Sequence, residues 1–429
     1  MKKETKGKRI LFLGAVRPLC EAVEVAKKMG MYTIVTDYLP NSPAKKYADK
    51  ACMVSTIDVD AVVELCKKEK VDGLFTAFTD SMLPYARKIC DIMGYPFYAS
   101  EKQIELSLNK KLFKETCKKY GVPVPAEYDI QYVDGKPDVS NIEFPVIVKP
   151  IDSSGGRGVK ICYEEDEFIN AYEYALSVSP SKTIIVEEYV KGDEVTATYT
   201  MKNGKVSLSC FKDKLISKDH EGITSQSDIL IMPSKHTSKF VEDANNKIIA
   251  MLEGIKATDG SVFFQGIVSE KGIKFFELGY RINGACDYRH IYTENKINYL
   301  EMMLAHAVTG EMAGYDLQMD NPFFKQYVLT YNMWAHGGVI GEISGIEKLK
   351  GIDNIVMCEN MHVAGDEIVD NHTLAQRVFR AVIKDNDVKK IKETIKIIQD
   401  VITVKDINGK NMLYKTFDTN GLNGYKTIE

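Results

Sequence analysis

The hydrophobic positions of the N-terminal region change their spacing in a regular alternation. Short apolar runs, such as ILFLG (residues 10–14) and YTIVTD (32–37), predict buried strands, and the segments between them carry apolar residues at helical spacing. The helical segment 19–29 ends at Gly30, a typical stop signal. The repeated order of strand and helix predicts a Rossmann-like parallel sheet over residues 1–100.

Ligands of such a sheet bind beyond the carboxyl ends of its strands, near Gly14, Asp37 and the pair Thr79 and Asp80. Asp37 ends the second strand, where a ribose-binding acid would be expected. However, the first turn reads GAVRPL and has a single glycine, so the GxGxxG phosphate turn of dinucleotide-binding proteins is missing. We therefore do not expect NAD at this sheet.

A different pattern follows in FPVIVKPIDSSGGRGVKIC (residues 144–162), where two apolar runs flank a Ser/Gly loop and the first run carries Lys149. A P-loop leads directly from a strand into a helix, but this loop joins two strands and is therefore a hairpin flap. Glycines have no Cβ, so such a flap can lay backbone N–H groups over phosphate oxygens, with Lys149 as a neighbouring positive charge. The alternative is an ordinary hairpin whose lysine extends into solvent.

Acidic residues follow at the end of another apolar run, in TIIVEEYVKGDEVT (residues 183–196). Glu187 and Glu188 end the run, an apolar pair comes next, and Glu194 stands a few residues later. This arrangement suits an adenine ring, its amine and the ribose hydroxyls.

A second hairpin is predicted by the segment 261–285, and its second strand delivers Glu277 and then Arg281. Mg²⁺ prefers oxygen ligands and keeps substrate phosphates in its coordination shell. A carboxylate close to phosphate-binding lysines is therefore a candidate magnesium ligand.

Four segments in this order resemble the motifs of ATP-grasp enzymes, specifically the carboxylate-amine ligase branch that includes L-amino acid ligases and the large subunit of carbamoyl-phosphate synthase. They are NKKLFKETCKKYGVPVP (109–125), FPVIVKPIDSSGGRGV (144–159), VEEYVKGDEVT (186–196) and FFELGYRINGA (275–285). Each motif alone is unspecific, but the ordered set is specific.

The resemblance implies a fold that combines α/β and α+β architecture in three domains. These are a Rossmann-like domain with a parallel sheet (1–100), an ATP-grasp domain (101–321) and a small C-terminal α+β lid domain (322–429). For the third domain, the alternative is a packing or dimerisation domain without catalytic residues.

The resemblance also implies ATP and Mg²⁺ as cofactors and assigns roles to the motif residues. Those expected at the nucleotide are Lys110 and Lys149 at the phosphates, Ser153, Ser154, Gly155, Gly156 and Gly158 in the flap, and Glu187, Glu188, Tyr189, Val190 and Glu194 around adenine and ribose. Glu277 would bind the metal. Arg281, acting with Lys149, would be catalytic and hold the substrate carboxylate or its acyl phosphate.

The metal motif departs from the family pattern at two positions. The family usually has Glu-x-Asn-x-Arg, but this chain reads ELGYR, with Gly279 in place of the asparagine. On the preceding strand, Gln265 replaces the usual acid. We expect Gln265 and Asn283 to offer neutral oxygens to the metal beside Glu277.

Three further residues are candidates for the acceptor substrate. Arg289 and His290 follow the metal strand, and His220 lies in SKDHEGITSQSD, a segment that could cover the substrate. The alternative is that these residues are ordinary surface or capping groups.

Composition narrows the partners of the chain. Its 429 residues carry a formal net charge of −4, so charge does not favour nucleic acid or an anionic membrane as a partner. The nine cysteines are scattered without metal-ligand spacing, which indicates reduced thiols in the cytoplasm. The apolar run after the basic N-terminus predicts a first strand and not a signal peptide, and no run approaches the length of about 18 residues that spans a bilayer. We expect small-molecule substrates, and a homodimer is left open.

The reaction implied is the activation of a small carboxylate by ATP, with an amino acid as the first choice, followed by its transfer to an amine and release of ADP and phosphate. One alternative is a carboxylase or carbamoyl-phosphate-type enzyme that uses bicarbonate. The other is a non-catalytic ATP-binding module, suggested by the loss of metal-binding acids.

Overall fold

The fold is described from a computed structural model, which covers the chain in five stretches: residues 2–133, 136–152, 157–217, 226–371 and 373–428. Within these stretches, no helix is long and apolar enough to cross a bilayer.

The N-terminal region forms a parallel sheet with helices on both faces, as the sequence predicts. Ile10 and Phe12 of the first strand pack into one core with the first long helix, whereas Leu11 and Leu13 pack into a second core on the other face. The elements are α1 (Lys2–Thr5), β1 (Arg9–Leu13), α2 (Leu19–Lys28), β2 (Tyr32–Thr36), β3 (Lys50–Cys52), α3 (Val59–Glu69), β4 (Gly73–Phe75) and α4 (Leu83–Met93).

The order of strands in this sheet is β3-β2-β1-β4. The edge strand β3 is not predicted by the hydrophobic pattern, because three residues, two of them polar or small, are too few to establish a period. Because β3 lies at the opposite edge, β1 and β4 are the strands nearest the rest of the molecule.

A second, smaller sheet is fully antiparallel and has the strand order β5-β10-β8-β9. One helix covers it, and Phe168 and Tyr172 of that helix pack against Val146 and Val148 of the sheet. The elements of this region are α5 (Glu101–Leu108), α6 (Lys110–Lys119), β5 (Glu127–Tyr128), β6 (Tyr132–Val133), β7 (Lys136–Pro137), β8 (Val146–Pro150), β9 (Lys160–Cys162), α7 (Glu165–Val178) and β10 (Ile184–Glu188).

The largest sheet has eight antiparallel strands and carries the main core. Its first five strands and the helices around them are β11 (Asp193–Lys202), β12 (Lys205–Leu215), β13 (Ile229–Met232), α8 (Thr237–Phe240), α9 (Asn246–Gly254), β14 (Gly260–Ser269), β15 (Gly272–Gly279), α10 (Tyr288–Asn295) and α11 (Tyr299–Thr309). The strand order is β15-β14-β11-β12-β13-β16-β20-β18, so the sheet continues into the C-terminal region.

The C-terminal elements are β16 (Tyr327–Trp334), β17 (Gly338–Ser344), β18 (Ile355–Asn360), β19 (Glu367–Ile368), β20 (Arg377–Asp385), α12 (Val388–Val401) and β21 (Thr403–Asp406). Ile391, Ile395 and Ile398 stand at helical spacing in the sequence and are buried along one face of α12. Strands β16, β18 and β20 extend the large sheet, whereas β17, β19 and β21 form a small sheet of their own. The domain boundary at residue 322 stays a prediction, and hydrogen bonding crosses it between β13 and β16.

The N-terminal sheet is held against the large sheet by α11, which lies directly on β4. A Cβ atom at Gly73 would lie 1.7 Å from the carbonyl oxygen of Ala307, so only glycine permits this approach. The close contact places the carboxyl ends of β1 and β4 beside the loop that follows β15.

Candidate active site

Lys149 and Glu187 lie on adjacent strands of the small sheet and form a buried ion pair. Lys114 of α6 binds the same carboxylate from the other side. Although burial opposes ionisation of Glu187, the charges of Lys149 and Lys114 hold its pKa below the usual value for a glutamate. The ammonium group of Lys149 is therefore fixed in position by its neighbours before any ligand binds.

Lys114 is a member of this group that the motif comparison misses. It lies one helical turn after Lys110 on α6, and its side chain is only 1% exposed. A lysine on the buried face of an amphipathic helix needs an acidic partner. That spacing is the signal that sequence reasoning could have used.

Lys110 begins α6 and brings a second cation to Lys149. Burial lowers the pKa of Lys110, with Glu277 opposing the shift and Lys149 adding to it, so the three charged groups lie within electrostatic reach of one another. The Nζ of Lys149 is 5.8 Å from the ring centroid of Phe276, the residue before Glu277. The small sheet, α6 and the large sheet therefore meet at one place, with two lysines and a carboxylate around it.

The predicted flap follows the strand that carries Lys149, and its base is anchored. Asp152 accepts hydrogen bonds from the hydroxyl of Ser179 at 2.7 Å and from the backbone N–H of Ser181 at 2.8 Å. On the returning side, Gly158 has a φ of +81°, and a Cβ there would lie 2.7 Å from Cγ of Pro150. Ser153, Ser154, Gly155 and Gly156 lie outside the described residues, so their role remains a prediction.

Glu188 links the small sheet to two neighbouring parts of the chain, the segment at Ala126 and the hairpin of β14 and β15. Its carboxylate accepts the N–H of Ala126 at 2.8 Å and forms an ion pair with Lys274, and its own N–H donates to the carbonyl of Ala126 at 3.0 Å. Its side chain therefore has a structural role. The backbone role expected at an adenine ring stays a prediction.

The remaining residues expected around adenine and ribose continue the same edge. The N–H of Tyr189 donates to the carbonyl of Pro145 at 3.1 Å, and Val190 is buried. Glu194 is the second residue of β11 and forms an ion pair of 2.7 Å with Lys214, its direct cross-strand neighbour. These residues are brought together where the two sheets join.

The three expected metal ligands have different surroundings. Glu277 of β15 and Gln265 of β14 are direct cross-strand neighbours, so their side chains project from the same face of the sheet. Burial raises the pKa of Glu277, with Lys110 opposing the shift. Asn283 is different, because its amide nitrogen donates to Asp287 at 2.5 Å and its amide oxygen accepts the N–H of Ala285 at 3.1 Å.

Glu277 and Gln265 supply two oxygen donors beside two lysines, which fits a magnesium ion that takes its other ligands from nucleotide phosphates and water. The described residues contain no group of three or more His, Cys, Asp or Glu side chains arranged to hold a metal ion.

Arg281 is held by an acid from the N-terminal sheet. Its Nε lies 2.7 Å from Oδ1 of Asp80, and the second terminal nitrogen lies 2.5 Å from Oδ2. This two-point contact brings the carboxyl edge of the parallel sheet to the site, as the position of Asp80 in the sequence suggests. The guanidinium group is thus oriented close to Glu277.

Comparison with known proteins identifies two domains. One family model, the ATP-grasp domain, matches residues 108–285, and a second, the PylC-like N-terminal domain, matches residues 10–89. The chain contains an ATP-grasp domain. The predicted fold class is confirmed by solved structures that superimpose on nearly the whole chain.

Three similar proteins illustrate the range of this ATP-grasp group. The formate-dependent phosphoribosylglycinamide formyltransferase of Sulfurisphaera tokodaii is 29% identical over 206 residues, which cover 46% of this chain and 50% of that protein. The phosphoribosylglycinamide synthetase structure from Anaerococcus prevotii has a TM-score of 0.75 at 20% identity and covers 94% of this chain and 100% of that one. The L-amino acid ligase structure from Bacillus licheniformis has a TM-score of 0.75 at 15% identity, covering 94% and 99% of the two chains.

The departure at Gly279 in this ATP-grasp chain has a structural cause. The ring of Phe263 lies over the glycine, so that a Cβ at position 279 would be 2.1 Å from Cζ of Phe263. The same ring lies 5.1 Å from the guanidinium carbon of Arg281. Phe263 therefore fills the volume that an asparagine side chain would need, and it packs beside Arg281.

The residues expected at the acceptor substrate have different surroundings. Arg289 donates from Nε and from a terminal nitrogen to one carboxylate oxygen of Glu21, at 2.7 and 2.5 Å. His290 is 2% exposed, and its Nε2 lies 2.9 Å from the hydroxyl of Thr330. Burial lowers the pKa of His290 to about 3, so the ring is neutral. His220 lies outside the described residues.

A buried ionic group lies beneath the loop of Asn283. Asp287 accepts from Lys212 at 2.5 Å and from the hydroxyl of Thr198 at 3.1 Å, and the motif comparison predicts neither partner. The sequence signal for this ion pair is that Lys212 and Asp287 are each a charged residue beside apolar residues.

We predict that Gly279→Asn destabilises the protein by about 1 to 3 kcal/mol, because the new side chain must displace the Phe263 ring. In Phe263→Ala the space is open, so adding Gly279→Asn to that variant should cost less than it costs alone. Equilibrium denaturation of the two single variants and the double variant measures this coupling. Strictly additive free energies of unfolding would contradict the proposed clash.

The buried neutral His290 predicts a loss of stability in mild acid. An unfolded histidine has a pKa of about 6.5, so the stabilising contribution of the neutral His290 ring is complete above that pH. As the pH falls below it, the protein loses stability, and the loss reaches about 2 kcal/mol at pH 5. Asp287 opposes the low pKa, whereas burial, Lys212, Arg289 and Arg380 favour it.

The free energy of unfolding should be measured at pH 8 and pH 5 in wild type and in His290→Gln. The difference between the two pH values should shrink by about 2 kcal/mol in His290→Gln. An equal pH difference in the two proteins would show that His290 does not resist protonation.

Proposed function

We propose that this chain is an ATP-dependent ligase that activates a small carboxylate as an acyl phosphate, joins it to an amine, and releases ADP and phosphate. The observation that carries the proposal is the convergence of Lys149, Lys110 and Glu277 from three separate elements. Transfer of a γ-phosphoryl group requires positive charge around the phosphates and precise positioning, and it requires little covalent chemistry from the protein.

In this proposal, Lys110 and Lys149 contact the phosphates of ATP and the flap after Lys149 covers them. Glu187 has both of its neighbouring lysines as partners, so it keeps the ammonium group of Lys149 oriented while the nucleotide is absent. Adenine would bind at the edge formed by Glu188 to Val190. Glu194 would accept from the ribose hydroxyls.

Glu277 and Gln265 would hold Mg²⁺, which neutralises phosphate charge during the transfer. Burial raises the pKa of Glu277, and Lys110 lies close enough to oppose this rise. The smaller number of acids is compatible with metal binding because the triphosphate itself supplies most of the negative charge.

The substrate carboxylate would bind at Arg281. The guanidinium group of Arg281 already donates two hydrogen bonds to the carboxylate of Asp80. A substrate carboxylate would bind the same guanidinium group, either beside Asp80 or in its place. The oriented carboxylate oxygen can then attack the γ-phosphorus, and phosphate leaves when the amine attacks the acyl carbon.

The names of the similar proteins support a small carboxylate as the class of substrate, since they include a formate-dependent enzyme and an L-amino acid ligase. A cytoplasmic location and small-molecule partners belong to the same proposal. A homodimer remains open.

The direct test is a screen of pooled amino acids, formate, other small acids and bicarbonate for ATP-dependent phosphate release. We expect release that depends on a carboxylate and increases with an amine. Release with bicarbonate alone would favour the carboxylase alternative. ATP binding without release in any pool would favour a non-catalytic module and contradict the proposal.

Lys149→Ala should cut turnover by about 2 to 4 kcal/mol in transition-state free energy, because it removes a charge-assisted phosphate contact in a buried site. Lys149→Arg should not restore full activity, since a planar guanidinium does not replace a point charge. Lys67→Ala is the matched control, as this lysine is 58% exposed on α3. Wild-type turnover in a folded Lys149→Ala protein would refute the assignment.

A further inference from the structure

Four arginines converge beside the proposed ligase site. Arg17 follows β1, Arg289 lies in the first turn of α10, and Arg377 and Arg380 lie on β20. The N-terminal region and the large sheet are joined here, because Arg17 donates to the carbonyl of Met361. Burial lowers the pKa of Arg377 to about 10, and the positive charges of Arg380 and Arg17 contribute to the shift. The guanidinium groups are thus close enough to repel one another.

A β-bulge brings two of these arginines to the same face of the sheet. In the pairing of β16 with β20, Asn332 is opposite Arg380, but Trp334 is opposite Arg377, so one extra residue of β20 is inserted between them. Without the bulge, residues 377 and 380 would point to opposite faces. The terminal nitrogen of Arg377 accordingly lies 3.5 Å from the amide oxygen of Asn332.

The arginines outnumber their acidic partners. Arg380 binds Glu359, and Arg289 binds Glu21. Within the described residues, four arginines therefore meet two acids that pair with them, which leaves a surplus of two positive charges.

Two buried polar atoms at this face have no hydrogen-bond partner among the described residues: Nε of Arg377 and Nε1 of Trp334. A buried polar group without a partner costs about 1 to 3 kcal/mol, so such groups are uncommon unless a ligand or water satisfies them. Both atoms are donors, and Arg377 and Trp334 are cross-strand neighbours. Their common direction identifies a place where an acceptor is needed.

We propose that this arginine cluster, defined as Arg17, Arg289, Arg377 and Arg380, binds a dianionic oxyanion on the amine substrate of the ligase, either a phosphate monoester or a dicarboxylate. Guanidinium groups bind both kinds of oxyanion through paired N–H donors. The place of this group in the reaction rests on the proposed function. Arg289 follows the loop of Asn283 directly in sequence, so the cluster continues from the phosphoryl-transfer site, and the exposed Arg17 lies at its solvent side.

The test uses inorganic phosphate, succinate and acetate as probes, with binding measured by calorimetry at pH 8. Phosphate or succinate should bind wild type, and whichever binds more tightly identifies the class of oxyanion. Arg377→Gln should weaken that binding by about tenfold or more, because it removes both charge and a buried donor. The proposal would be overturned if acetate bound wild type as tightly as phosphate and succinate do. It would also be overturned if wild type and Arg377→Gln bound the dianions equally well.

Two further variants separate this cluster from the ATP site. Lys149→Ala should lose ATP binding but keep the probe, whereas Arg377→Gln should lose the probe and keep ATP. Loss of both ligands in Lys149→Ala would place the probe at the ATP phosphates and overturn the proposal without touching the ligase assignment. Failure of ATP binding in wild type would instead contradict the proposed function.

Two further variants guard against an effect of Arg377→Gln on folding alone. Arg87→Gln changes a helical arginine that pairs with Asp91, and it should bind the probe as wild type does. If Arg377→Gln does not fold, the exposed Arg17 offers a milder change, and Arg17→Gln should weaken the probe by about threefold. Unchanged binding in a folded Arg17→Gln protein would then count against the cluster.

Discussion

The buried carboxylate of Glu187 between Lys149 and Lys114 is the interaction on which the candidate site depends. Both side chains of the Lys149–Glu187 pair are almost fully excluded from solvent, so neither charge can be left without the other. Removing one partner of a buried ion pair typically costs about 3 to 5 kcal/mol, because the remaining charge stays uncompensated. The small sheet and α6 are therefore tied together at the residue that we assign to the phosphates.

The same principle connects the other parts of the molecule to this point. Arg281 with Asp80 joins the loop after β15 to the N-terminal sheet, and Lys212 with Asp287 joins β12 to the start of α10. Each pair lies between separate elements. A preorganised arrangement of this kind stabilises charge that develops during a reaction, since the groups need little reorganisation at that moment.

Much of the fold could be predicted from the sequence because its signals are local. The alternation of strand and helix near Ile10, and the apolar face of α12 at Ile391, depend on spacing within a single segment. The order of the motifs placed Lys110, Lys149 and Glu277 in one family, and the structure brings these three residues together.

The features that sequence reasoning missed depend on contacts between distant segments. Lys114 is a partner of Glu187 only because α6 packs beside β10, and Phe263 explains Gly279 only through the register of β14 and β15. The bulge that aligns Arg377 with Arg380 is equally invisible in a linear pattern, because it is a property of two paired strands.

The central claim is that the site transfers the γ-phosphoryl group of ATP to a carboxylate. The most direct measurement follows ¹⁸O from a labelled carboxylate substrate into the products. We expect one ¹⁸O atom to appear in inorganic phosphate and ADP to be the nucleotide product, since the oxygen that attacks phosphorus leaves with phosphate. Formation of AMP and pyrophosphate, or release of unlabelled phosphate, would contradict the account even if ATP binding were demonstrated.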